Sequence, residues 1–120
     1  MLIKNFEGLK CWQSARNLTN TIYKIAKQNF SRDYRLTDQI TGASISIMNN
    51  ISEGFDSDSN PEFIRFLKYS RRSASEVQNC LYIALDQSYI YQEIFNKLYL
   101  LCEEIRKTID GLIKYLKNSS

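Results

Sequence analysis

Within one short stretch of this chain stand Arg65, Lys68, Tyr69, Arg71 and Arg72. If the stretch is helical, each residue turns ~100° from the last. Arg65, Lys68 and Arg72 then share one side, with Arg71 on one flank and Tyr69 and Glu76 on the other. Cations at this spacing can follow a phosphate backbone, and a tyrosine beside them can stack on a base. The competing reading is a solvated face on which Glu76, one turn after Arg72, pairs with it. A second basic set, Lys10, Arg16, Lys24 and Lys27, falls on an amino-terminal helix, on the face away from Trp12 and Ile22.

Residues suited to catalysis are sparse. The chain has no histidine, the side chain most used for proton transfer near neutral pH and the commonest metal ligand. Compact helical nucleases that cut RNA with an Arg-x4-His pair are excluded on the same ground. Glu103 and Glu104 are expected to point outward and Asp110 to stand alone, so no inward carboxylate cluster forms. No glycine-rich phosphate loop is present. The expectation is a non-enzyme with no metal and no cofactor. Cys11, Cys80 and Cys102 are odd in number and lack CxxC spacing. They read as reduced, buried thiols of a cytoplasmic protein. No amino-terminal apolar segment resembles a signal peptide, and no run reaches the ~18–20 apolar residues of a membrane span. A membrane partner is therefore not expected.

The elements that must carry these residues are helices. Apolar residues recur in steps of three and four in four blocks. The first runs through Leu9, Trp12, Ala15, Leu18, Ile22, Ile25 and Ala26, the second through Leu36, Ile40, Ala43, Ile47 and Ile51. The third contains Phe63, Phe66, Leu67, Ser70, Ala74, Val77, Leu81 and Ala84, and the fourth Ile94, Leu98, Leu101, Ile105, Ile109, Leu112 and Leu116. Helices over 9–29, 35–53, 61–86 and 91–117 follow. Gly54 suits the carboxyl-terminal end of the second, and Asn60-Pro61-Glu62 reads as N-cap, proline at the first position and an acid in the first turn. Short connections force neighbouring helices antiparallel. The fold expected is all-α, a single-domain up-down-up-down four-helix bundle over residues 1–120. Net charge is only +3, and the first 30 residues hold five basic side chains against one acidic.

Several apolar residues do not fit these stripes. Ile83 projects among the cations of the third helix, and Tyr82 lies off its apolar arc. Tyr99 and Leu100 depart from the fourth stripe and Ile45 from the second. With eight tyrosines in the chain, Ile45, Tyr82, Ile83, Tyr99 and Leu100 are expected to meet another copy.

The assembled pattern resembles the four-helix-bundle proteins encoded in intervening sequences of bacterial large-subunit ribosomal RNA genes. The accessory variability determinant of diversity-generating retroelements is similar. The likeness opens with Phe6, Glu7, Leu9, Trp12, Gln13, Ala15 and Arg16. It continues through Leu36 to Ile40, Ser46 to Gly54, Glu62 to Leu67, then Ser70 to Ser73 with Glu76, and ends with Gly111 to Leu116. Met48 stands where the family often has proline, and Arg72 where it often has glycine. The resemblance implies a ring-shaped homo-oligomer, typically a pentamer, without a cofactor. It implies RNA or DNA as a partner through the basic residues named above, or a reverse transcriptase as partner of an adaptor that binds no nucleic acid itself. Asn50, Glu53 and Gly54 lie in its best-marked segment and are read as structural, Glu53 or Asn50 satisfying backbone groups near the helix end and Gly54 permitting a turn.

Overall fold

A computed structural model describes residues 1–119. Each apolar block forms one helix: α1 Lys10–Asn29, α2 Tyr34–Phe55, α3 Asn60–Asp86 and α4 Gln92–Lys117, preceded by a 3-10 turn at Phe6–Gly8. Burial follows the stripes in large part, although Phe66, Ile94, Leu101 and Leu112 are only half-buried and α4 buries Phe95, Cys102 and Ile113 as well. Leu18 and Ile22 from α1, Ile40, Ile47 and Ile51 from α2, Leu67, Val77 and Leu81 from α3, and Leu98, Ile105 and Ile109 from α4 are all almost fully enclosed. Burying each such side chain contributes on the order of 1.5–3 kcal/mol.

Helices adjacent in the chain are adjacent in space, and α4 closes the ring against α1. Polar contacts tie each end of the bundle. At one end Asn29 donates to the Tyr89 carbonyl at 2.9 Å, and the Tyr89 hydroxyl donates to Asp33 at 3.0 Å. At the other, Asn60 donates to the Leu116 carbonyl at 3.3 Å. The result is the antiparallel bundle expected, 47 × 22 × 19 Å. Among the described residues no helix is long and apolar enough to cross a membrane.

The helix ends follow local chemistry. Asp33 caps α2 by accepting from the Leu36 N–H at 3.0 Å. Ser59, not Asn60, caps α3, accepting from the Glu62 N–H at 3.3 Å and moving the cap one residue earlier than expected. Ser59 is extended, with φ −152°, whereas Asn60 already belongs to the helix. At the far end of α3 the Tyr89 N–H bonds the Ala84 carbonyl and the Ser88 N–H bonds that of Leu85, each at 2.9 Å. Ser88 takes the left-handed conformation, φ 62°, that this double closure requires.

The second and third helices form the tightest seam. Ser70 donates to the Ile47 carbonyl at 2.6 Å, and Ser73 to the Ser46 hydroxyl at 2.9 Å. Gly54 corrects the sequence reading. It is not a turn residue: α2 continues through it to Phe55, and no glycine has positive φ. A Cβ there would stand 2.8 Å from both the Phe63 ring and the Phe66 Cβ, so its missing side chain is what lets α3 approach.

Candidate nucleic-acid interface

The buried stripe of α3 runs through Phe63, Leu67, Ser70, Ala74, Val77, Leu81 and Ala84. That choice of inward face turns Arg65, Lys68 and Arg72 to solvent, and all three are exposed. Tyr69, half-buried at the edge of the strip, organises them. The guanidinium of Arg72 lies 5.4 Å from its ring centroid and that of Arg65 5.9 Å. Arg65 also lies 5.0 Å from the Phe66 ring, which meets Tyr69 edge-on at 6.2 Å and 88°. Contacts of this type contribute ~0.5–1 kcal/mol each at exposed sites. They hold two arginines beside aromatic rings.

Acidic neighbours neutralise little of the strip. Arg65 has Glu62 at 3.7 Å, an exposed pair of the kind that stabilises little. The Glu76–Arg72 pair of the competing reading does not form; among the described residues the other ion pairs are Arg71–Asp110 and Arg106–Glu103. Arg71 therefore leaves the candidate site: it reaches across the α3–α4 seam to Asp110, which is not isolated. Glu103 is likewise drawn inward. It accepts from buried Gln78 at 2.8 Å and from Arg106 at 3.2 Å. The Arg71–Asp110 and Gln78–Glu103 pairings have no signal in the sequence, because each joins positions on different helices.

The second basic set does not extend the first. Lys10, Arg16, Lys24 and Lys27 are all exposed, but α1 and α3 are diagonal in the bundle and their backbones do not approach closely. Their outer faces look in opposite directions. Nor do the four share one strip: Arg16 lies 5.8 Å from the Trp12 ring, against the residue it was expected to avoid. Lys24 instead lines a groove between α1 and α4.

That groove is a feature that stripe analysis did not reveal. It encloses about 660 Å³, floored by Ile25, Ile94, Leu98 and Leu101, with Leu100 at its edge. Leu100, 62% exposed, was its only sequence signal. The other strays are dispersed. Ile45, Tyr82 and Ile83 are exposed, on α2 and α3. Tyr99 is not free surface: it packs on the core, stacked on Phe95 at 5.5 Å and touched by the Tyr82 ring at 5.9 Å.

In the Ser46–Gly54 segment, Asn50 donates to the Ser46 carbonyl at 2.9 Å and to its hydroxyl at 3.1 Å, beside the Ser46–Ser73 contact. Of the two candidates for satisfying backbone groups, Asn50 does so, and Glu53 is exposed. The segment forms the α2 side of the tight seam.

All three cysteines are free and buried. Burial pushes the Cys11 thiol up to about 11 and Cys102 to about 12, and raises Cys80 as well. The thiolate is the reactive form. Native Cys11 is therefore expected to alkylate roughly a hundredfold more slowly than a free thiol at pH 8, with all three reacting on unfolding. The folded state holds these protons more tightly than the unfolded chain. Their contribution to stability is therefore complete below pH ~9 and is lost as pH rises through the folded values. Thermal melts from pH 8 to 11 check the sign: the midpoint falls, and falls less in a Cys11→Ala, Cys102→Ala variant. Among the described residues no cluster of three or more His, Cys, Asp or Glu could hold a metal ion.

Comparison with known proteins bears on this architecture. Residues 7–111 match the family described as 23S rRNA-intervening sequence protein. Among solved structures, the chain superposes on a protein of unknown function from the S23 ribosomal protein family of Bacteroides thetaiotaomicron. The TM-score is 0.81 at 24% identity, covering 87% of this chain and 95% of that one. At that identity the likeness is one of fold. No curated protein matches the chain.

Proposed function

Because this chain belongs to the 23S rRNA-intervening sequence protein family, we propose that it is a non-catalytic, homo-oligomeric bundle of the bacterial cytoplasm that binds RNA or DNA electrostatically through the outer face of α3. The observation that carries this reading is the strip Arg65, Lys68 and Arg72, of which Lys68 and Arg72 have no acidic partner among the described residues. Tyr69 holds the two arginines in place.

A monomer of net charge +3 binds a polyanion weakly at physiological salt. Repetition around a ring makes each further contact intramolecular and raises avidity without any new contact. Five copies is the number that the family resemblance implies. The dispersed apolar side chains favour this arrangement. Leu100 lies beside the α1–α4 groove, Tyr82 on the α3–α4 seam and Ile45 on α2. A ring built head to tail needs two different patches on each copy.

Light scattering tests the assembly: the wild type is expected at several times 14.1 kDa, and Leu100→Asp is expected to shift it toward the monomer. A monomeric wild type at high concentration would contradict this. Filter binding of a labelled RNA tests the ligand, with loss of binding expected when Arg65, Lys68 and Arg72 are reversed to glutamate. The groove itself favours a second reading, a protein adaptor such as a reverse transcriptase subunit. In that case the same reversal leaves partner binding intact and RNA is not bound.

A further inference from the structure

Resting on the nucleic-acid reading above, we infer that the α3 strip takes unpaired nucleotides, with a base laid against Tyr69 and the guanidiniums beside it. Charge alone does not separate a single strand from a duplex, but the way these cations are held does. Arg72 sits 5.4 Å from the Tyr69 ring, and Arg65 lies within 6 Å of both Tyr69 and Phe66. Both arginines and Lys68 are exposed, while Phe66 and Tyr69 are half-buried. Both rings keep accessible surface, and they meet each other at 88°. The outer face of α3 therefore offers flat π-surfaces and guanidinium planes together.

A duplex keeps its bases stacked inside and presents phosphates, so only the cations would engage it. An unpaired strand presents both phosphates and base faces. Splayed bases stack on aromatic rings and on arginine planes. Residues 65 to 72 span ~10 Å of helix, a length over which an unstacked strand presents two or three adjacent phosphates. The chain carries a net charge of only +3. Stacking at ~1–3 kcal/mol per base thus decides which form binds.

The test is fluorescence anisotropy with one labelled oligonucleotide, single-stranded and annealed to its complement, in RNA and DNA versions. The full-length wild type is expected to bind either single strand at least about tenfold more tightly than the duplex. Stacking is indifferent to the sugar, so RNA and DNA single strands are both expected to bind. Tyr69→Leu is expected to lower single-strand affinity about tenfold, several times more than it lowers duplex affinity, while Tyr69→Phe retains both. Circular dichroism confirms that each variant is folded. Equal affinity for single strand and duplex, or equal weakening of both by Tyr69→Leu, overturns the inference while leaving nucleic-acid binding in place. Absence of binding to any of the four probes removes the underlying reading as well.

Discussion

Replacing Gly54 by alanine is expected to destabilise the bundle by about 2 kcal/mol, whereas the same change at Gly42 is expected to stabilise it by about 1 kcal/mol. Both glycines lie within α2, so each variant gains helix propensity, more at mid-helix Gly42 than at Gly54, one residue from the end. They differ in what a methyl group would meet. At Gly42 nothing lies within 4 Å. At Gly54 the Phe66 Cβ lies at 2.8 Å and the Phe63 carbonyl at 3.3 Å. The Phe63 ring could rotate away, but a Cβ moves only with its backbone, so α3 must retreat. Retreat lengthens the Ser70–Ile47 and Ser73–Ser46 hydrogen bonds, now 2.6 and 2.9 Å. Thermal denaturation of both variants checks the opposite signs, with Gly54→Ala expected to melt roughly 5–10 °C below the wild type. Equal shifts in the two would mean that the α2–α3 approach does not depend on Gly54.

Reversing Arg65, Lys68 and Arg72 together to glutamate is expected to weaken RNA binding at least ~100-fold near physiological salt. Each reversal removes a phosphate contact and places a like charge against the strand. The fold is expected to survive, since all three side chains are exposed and their one carboxylate contact is the exposed Arg65–Glu62 pair. Arg71→Gln supplies the contrast. It removes a charge from the same helix, but one already directed at Asp110 across the α3–α4 seam. Its affinity is expected to stay within about twofold of the wild type. Binding titrations of both variants, each checked for helicity, separate a local site from a general effect of net charge.

The parts of this molecule that a sequence displays are those set by one helix at a time. Spacings of three and four marked the inward face of every helix, and therefore the outward position of Arg65, Lys68 and Arg72. The neighbourhood of Tyr69 was legible for the same reason, since its partners lie four residues before it and three after. What depended on the distance between helices was not legible. Gly54 looks like a helix terminator until Phe63 and Phe66 are seen against it. Asp110 and Glu103 look like free surface acids until α3 supplies Arg71 and Gln78. Ser59 and Asn60 are both good caps, and only the extended backbone at Ser59 chooses between them. The α1–α4 groove exists because the closing pair of helices packs less closely than α2 and α3 do, a property of the assembled bundle alone.

The central claim, that α3 is a polyanion-binding face, is tested most directly by the salt dependence of RNA binding. Three phosphate contacts on a single strand imply that log K falls against log salt with a slope of about −2, and more steeply where several copies engage one strand. The account predicts that slope for the wild type and a nearly flat line for the Arg65→Glu, Lys68→Glu, Arg72→Glu variant. A wild type that fails to bind at low salt, or binds with an affinity that salt does not change, would contradict it.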